Sequence, residues 1–122
     1  MANLKLMQPQ EIEVLYILPT IRRELTFEMK RFGLEQKKIA ELLCVTEAAI
    51  SQYLNSKRAT KVKFSKDVLK IIKNSAKKII NKETMISETQ DILKMLKEKG
   101  LTCDVHKELA DLPDDCLYCH ID

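Results

Sequence analysis

The stretch "ELLCVTEAAISQYL", residues 41–54, carries two short apolar patterns with a break between them. Leu42 and Leu43 close the apolar face of "EQKKIAELL", and Ile50 and Tyr53 belong to that of "EAAISQYLN". This spacing predicts two short helices joined by a tight turn. Thr46 suits the N-cap of the second helix, because its hydroxyl can accept an orphan backbone N–H. The small Ala40 lets the two helices approach, while Leu43, Val45, Ile50 and Tyr53 fill the space between the pair and a preceding helix. Cys44 stands in the turn where glycine is expected. A non-glycine residue held left-handed costs on the order of 1 kcal/mol. Cysteine is small and tolerates burial, so its expected role is conformational. It becomes a ligand only if the chain's end folds onto it.

The predicted second helix leaves Glu47, Ala48, Ser51, Gln52 and Asn55 on its open side. These are mostly short or amide side chains. Gln and Asn can bond adenine N6 and N7 together, Ser can bond several bases, and Ala can touch a thymine methyl. Lys57 and Arg58 follow directly, where phosphates flank a helix seated in a major groove. With Thr46 at the cap and Lys37 on the first helix of the pair, these residues form the candidate set for double-stranded DNA.

Outward from this pair, the chain reads as helical. Pro9 and the acids of "PQEIEVLYI" favour a helix start, although apolar positions 12, 14, 15, 17 and 18 also fit an extended segment. Pro19 is expected to restart the chain. Ile21, Leu25, Met29 and Phe32 then form one amphipathic stripe, ended by Gly33 with Leu34 folding back. "SKRATKVKF" reads as a basic loop. Ser65 caps a helix holding Val68, Leu69, Ile72, Ala76, Ile79 and Ile80. After a turn near Asn81, a last helix holds Met85, Thr89, Ile92, Leu93 and Leu96, and Gly100 and Leu101 close it.

Composition agrees with an all-α fold: the 122 residues include only two glycines and three prolines. Apolar residues make up 45% and charged residues 32%, a globular balance. No apolar run approaches the roughly 20 residues of a membrane span, and the first residues lack a signal-peptide pattern. A cytoplasmic protein without a membrane partner is expected. The net charge of +3 hides an asymmetry. Between positions 57 and 82 ten Lys or Arg face the single acid Asp67, a net of +9; from 103 to 122 six acids face Lys107, a net of −5. A basic middle suits a polyanion, or it is simply a solvated lysine-rich face.

The residues "LPTIRREL…FGLEQKKIAELLCVTEAAISQYLNSKR" resemble the helix-turn-helix of lambda-repressor-like (XRE-type) regulators. They are especially similar to predicted archaeal transcriptional regulators that join this domain to a short cysteine-bearing tail. In that group the turn reads Leu-Gly-Val-Thr, and the next helix carries Ala-Ala-(Val/Ile)-Ser-(Gln/Arg)-Tyr-Leu before a basic Lys-Arg. Cys44 departs from it. The likeness is strong over about residues 8–60 and weaker in the tail. It implies a sequence-specific DNA-binding regulator.

In the tail, Cys103, His106, Cys116 and Cys119 spell C-x2-H-x9-C-x2-C. Two short pairs separated by a loop can wrap a tetrahedral ion, and a reducing cytosol disfavours disulfides. Zinc suits three thiolates and an imidazole. An iron–sulfur cluster is the other reading, with His106, Cys44 or His120 completing the set. The resembled group has a similar tail, which favours a metal without choosing between them.

The expected organisation is a helix-turn-helix domain over 8–62, a helical scaffold or dimerisation element over 63–100, and a metal-binding tail over 101–122. A homodimer is expected, because one recognition helix reads few base pairs. The stripes of the two long helices offer the surface, unless they complete one protomer's core. An antitoxin-like or other protein-interaction module without a regulatory metal is the alternative. No enzyme activity and no small-molecule substrate are expected: no acid or base stands at a fixed short spacing from the candidate ligands, and four ligands close the shell.

Overall fold

A computed structural model describes residues 8–101 and 104–105 of the chain. Among these residues every regular element is helical. The elements are α1 (Pro9–Ile12), a π-helical turn (Glu13–Ile17), α2 (Leu18–Arg31), α3 (Gln36–Leu43), α4 (Glu47–Leu54), α5 (Lys66–Lys78) and α6 (Lys82–Glu98). No described helix is long and apolar enough to cross a membrane.

Pro19 does not restart the chain. The backbone stays helical from α1 into α2 and widens at the π turn, where the Leu18 N–H bonds the Glu13 carbonyl five residues back. Two features favour the widening. Pro19 has no N–H to give Leu15, and its ring crowds that carbonyl. The extra residue also corrects the register: Ile12 and Ile17 are five apart, yet both are fully buried. From Ile17 the core positions run at four-residue steps through Ile21, Leu25 and Met29, all buried. The π turn thus joins two apolar stripes that an unbroken α-helix would set on different faces. Val14 and Leu15 are turned outward, 60% and 55% exposed.

Phe32, expected on the same stripe, is 41% exposed. It is the C-cap of α2, past the last residue whose position the helix dictates. Gly33, at φ 90°, lets the Leu34 N–H reach back to the Met29 carbonyl at 3.2 Å, and Leu34 packs on the core instead. This is the Schellman pattern. The same pattern recurs at Cys44, whose φ of 57° and ψ of 42° are left-handed. The Val45 N–H bonds Ala40 O at 3.1 Å and the Cys44 N–H bonds Glu41 O at 3.3 Å. The side chain of Cys44 is exposed, not buried in a tight place, and its Sγ lies 3.9 Å from the Glu41 carbonyl. Its conformation is therefore the one glycine prefers, with no packing to lose. Cys44→Gly should stabilise the chain by up to about 1 kcal/mol. A chemical-denaturation midpoint that falls in this variant would contradict that reading.

The expected caps form. Thr46 Oγ1 accepts from the Ala49 N–H at 3.0 Å, and Ser65 Oγ from the Val68 N–H at 3.3 Å. At α5 the expectation needs correction: the helix stops at Lys78, and Ile79 is extended. The cause lies in the next helix. Asn81 and Thr84 build a capping box, with Thr84 N–H to Asn81 Oδ1 at 2.8 Å and Asn81 N–H to Thr84 Oγ1 at 3.0 Å. That box holds Asn81 extended just ahead of α6. Ile79 stays buried, whereas Ile80 is 71% exposed.

One apolar core runs through all these elements. α2 packs against α3, α4 and α5, and α6 packs against α3 and α5. Val68, Ile72, Ala76 and Ile79 from α5 and its cap join Ile92 and Leu96 from α6 in this core. Most of the two long stripes thus completes a single chain's interior. Val105 is buried there too, and Leu101 packs against it. The polar side of α2 carries Arg23 paired with Glu24 at 2.5 Å, the Arg23 guanidinium 4.7 Å from the Phe27 ring, and an Arg31–Glu28 ion pair. Burial pushes the Glu24 carboxyl up, against the pull of Arg23.

Candidate nucleic-acid interface

The helix pair α3–α4 is held from one side only. Ala49, Ile50 and Tyr53 of α4 are buried, as are Ile39, Ala40, Leu42 and Leu43 of α3. Val45 in the turn is half-buried and packs on the same core. α4 also packs on α2. Two helix faces are thereby consumed, and the rest of α4 faces solvent.

On that side lie the residues expected from the sequence. Thr46, Glu47, Ala48, Gln52 and Asn55 are exposed, and Ser51 is half-buried. Positions 48, 51, 52 and 55 are three or four apart, so they share one helix face. Asn55 Nδ2 lies 3.4 Å from Ser51 Oγ, which aligns the two polar groups. Glu47 sits in the first turn of α4, where a carboxylate complements the helix dipole. The Thr46 hydroxyl is already engaged as the cap acceptor, so its remaining capacity is as a donor.

The backbone beyond α4 is held in place, and one of its cations is oriented. The Lys57 N–H bonds Gln52 O at 2.9 Å, which closes the helix over the left-handed Ser56. The Arg58 guanidinium lies 5.8 Å from the centre of the Tyr53 ring, within cation–π range. Lys61 and Lys63 alternate with buried Val62 and half-buried Phe64. The end of the "basic loop" is thus held to the core at Val62 and Phe64, with Lys61 and Lys63 outward. Lys37 is exposed on the first turn of α3, about 9 Å of helix rise from the turn. It stands apart from the α4 face. A second exposed basic stripe, Lys66, Lys70, Lys73 and Lys77, follows one side of α5.

Sequence reasoning missed one feature beside this face. A cleft of about 420 Å³ opens between the start of α2 and the segment after α4, lined in part by Leu15, Pro19, Arg22, Lys57, Arg58 and Lys61. Its two walls are far apart in the chain, so no local pattern announces it. The expected metal ligands Cys103, His106, Cys116 and Cys119 lie outside the described residues. Among the described residues no group of three or more His, Cys, Asp or Glu could hold a metal ion.

Comparisons with protein families, curated proteins and solved structures find no match to this chain. The resemblance to lambda-repressor-like regulators rests on the motif residues alone.

Proposed function

We propose that this chain is a sequence-specific DNA-binding transcriptional regulator. In this reading α3 and α4 form a helix-turn-helix, and α4 inserts into the major groove of double-stranded DNA. The supporting observation is the solvent face of α4: Ala48, Ser51, Gln52 and Asn55 share it, over a buried opposite side, with exposed Lys57 and the Tyr53-stacked Arg58 at its end. Short and amide side chains reach base edges without steric conflict. The cations neutralise phosphates and set the register. Thr46 and Glu47 border the face, and Lys37, at the start of α3, adds an exposed cation for the phosphate backbone.

The phosphate role has a direct test. Each lost phosphate contact should flatten the slope of log affinity against log salt by about 0.9. The double variant Lys57→Gln/Arg58→Gln should lose close to two such contacts. An unchanged slope would move the duplex elsewhere, with the Lys66–Lys77 stripe of α5 as the next candidate surface.

Two further parts belong to the proposal. The chain acts as a homodimer, since paired half-sites supply the base pairs that one helix cannot read. Ile71 on α5, Ile80 in the connection and Ile86 on α6, which the core leaves 37%, 71% and 50% exposed, offer apolar surface for it. The tail holds a metal through Cys103, His106, Cys116 and Cys119. Their three thiolates and imidazole suit zinc as a structural clamp, and a cluster would add redox sensitivity. Anaerobically purified protein should carry about one zinc per chain and no visible colour. A visible charge-transfer band would assign the cluster instead, and Cys116→Ser should remove either one. Metal-free wild-type protein would end this part of the proposal.

A further inference from the structure

We infer that the cleft beside α4 binds a small phosphorylated planar compound of the mononucleotide class. Its volume of about 420 Å³ falls within the roughly 300–1,000 Å³ of small-molecule sites. Its chemistry is divided. Leu15 and Pro19 supply an apolar wall, and Leu15 is left 55% exposed there. Arg22, Lys57, Arg58 and Lys61 supply four cations, and among the described residues no acidic side chain lines the cleft.

A phosphate monoester carries about −1.5 to −2 charges near neutral pH, which the cations complement. A base or similar flat ring supplies an apolar face to cover Leu15 and Pro19. A stiff duplex presents its phosphates on a convex ridge with the bases stacked inside, so it matches the cations and leaves the apolar wall unused.

The cleft is also preformed. Ala59, in its wall, is left-handed at φ 60°, a conformation that is strained for a non-glycine residue. The left-handed Ser56 is explained by capping α4; Ala59 caps no helix. Buried Val62 and Tyr53 hold the segment on either side of it. Strain of this kind gathers where a wall must keep its shape for a ligand. A preformed site avoids the ordering cost of closure.

Lys57 and Arg58 belong to both surfaces. A bound nucleotide takes cations that the duplex needs, so the two ligands compete. This coupling rests on the DNA reading above; nucleotide binding itself does not.

The test titrates the full chain with adenosine monophosphate, guanosine monophosphate, adenosine and inorganic phosphate, followed by amide NMR. A monophosphate should shift amides within 15–22 and 57–61. Adenosine and phosphate should each bind at least about tenfold more weakly, since each loses one half of the recognition. Arg22→Gln/Lys61→Gln should weaken the monophosphate by about tenfold or more, with an unchanged melting curve. Shifts confined to α5, no shifts at all, or inorganic phosphate binding as tightly as the nucleotides would overturn the site. Should the double variant fail to fold, the wild-type shift map decides alone. Duplex titrations separate the two proposals. Nucleotide binding without duplex binding removes only the DNA reading, whereas duplex binding without nucleotide binding removes only the cleft. Independent binding of both would overturn the competition.

Discussion

Tyr53→Ala should destabilise the chain by about 3–5 kcal/mol, the range for emptying an aromatic site in a core. Tyr53 is 2% exposed. It packs from α4 into the core shared with α2 and stands under the Arg58 guanidinium. Truncation therefore leaves a cavity beneath α4 and releases Arg58. Thermal or denaturant unfolding reads the first effect. The second appears as weaker DNA binding in whatever fraction stays folded. A loss under about 1 kcal/mol would mean that α4 is not anchored through this ring, and that its outward face is not held in place.

The second large effect concerns recognition. Gln52→Ala should cost about 1–3 kcal/mol on the preferred duplex and little on random DNA. Gln52 is exposed at the centre of the α4 face, and its amide can meet an adenine edge with two hydrogen bonds. Base contacts specify and phosphate contacts position, so the loss should be selective. Asn55→Ala should act in the same direction. Its amide also touches Ser51, so Ser51→Ala and Asn55→Ala should not add independently. Equal losses on preferred and random DNA would remove α4 from the recognition role.

The elements that were legible in the sequence share one property: their signals are local. Thr46 and Ser65 announced their helices through cap chemistry alone. Gly33 and the glycine-like slot at Cys44 announced the helix ends. The face of α4 followed from period and from the need of Ile50 and Tyr53 for burial. Signals that depend on a competing element were misread. Ile79 and Ile80 extend the apolar pattern of α5, but the Asn81–Thr84 box of α6 claims the backbone first. The five-residue step from Ile12 to Ile17 fits no α period, and only the π turn reconciles it. Phe32 satisfies the spacing of α2 yet lies past its last turn. The alternation over 61–64 is too short to be read as an anchor, and it is the buried Val62 that reveals it. At the site, the exposed α4 residues were readable because they are neighbours in sequence. The cleft was not, because folding alone brings 15–22 against 57–61.

The role proposed for the α4 face is specific recognition of double-stranded DNA. The most direct measurement selects duplexes from a random pool with the full chain, then compares the enriched duplex with scrambled DNA across salt concentrations. The expected result is an enriched sequence bound about 10³-fold or more tighter than random DNA, with both affinities falling as salt rises. A pool that yields no enriched sequence, or affinities that ignore salt, would contradict it and leave the helix pair as a protein-binding surface.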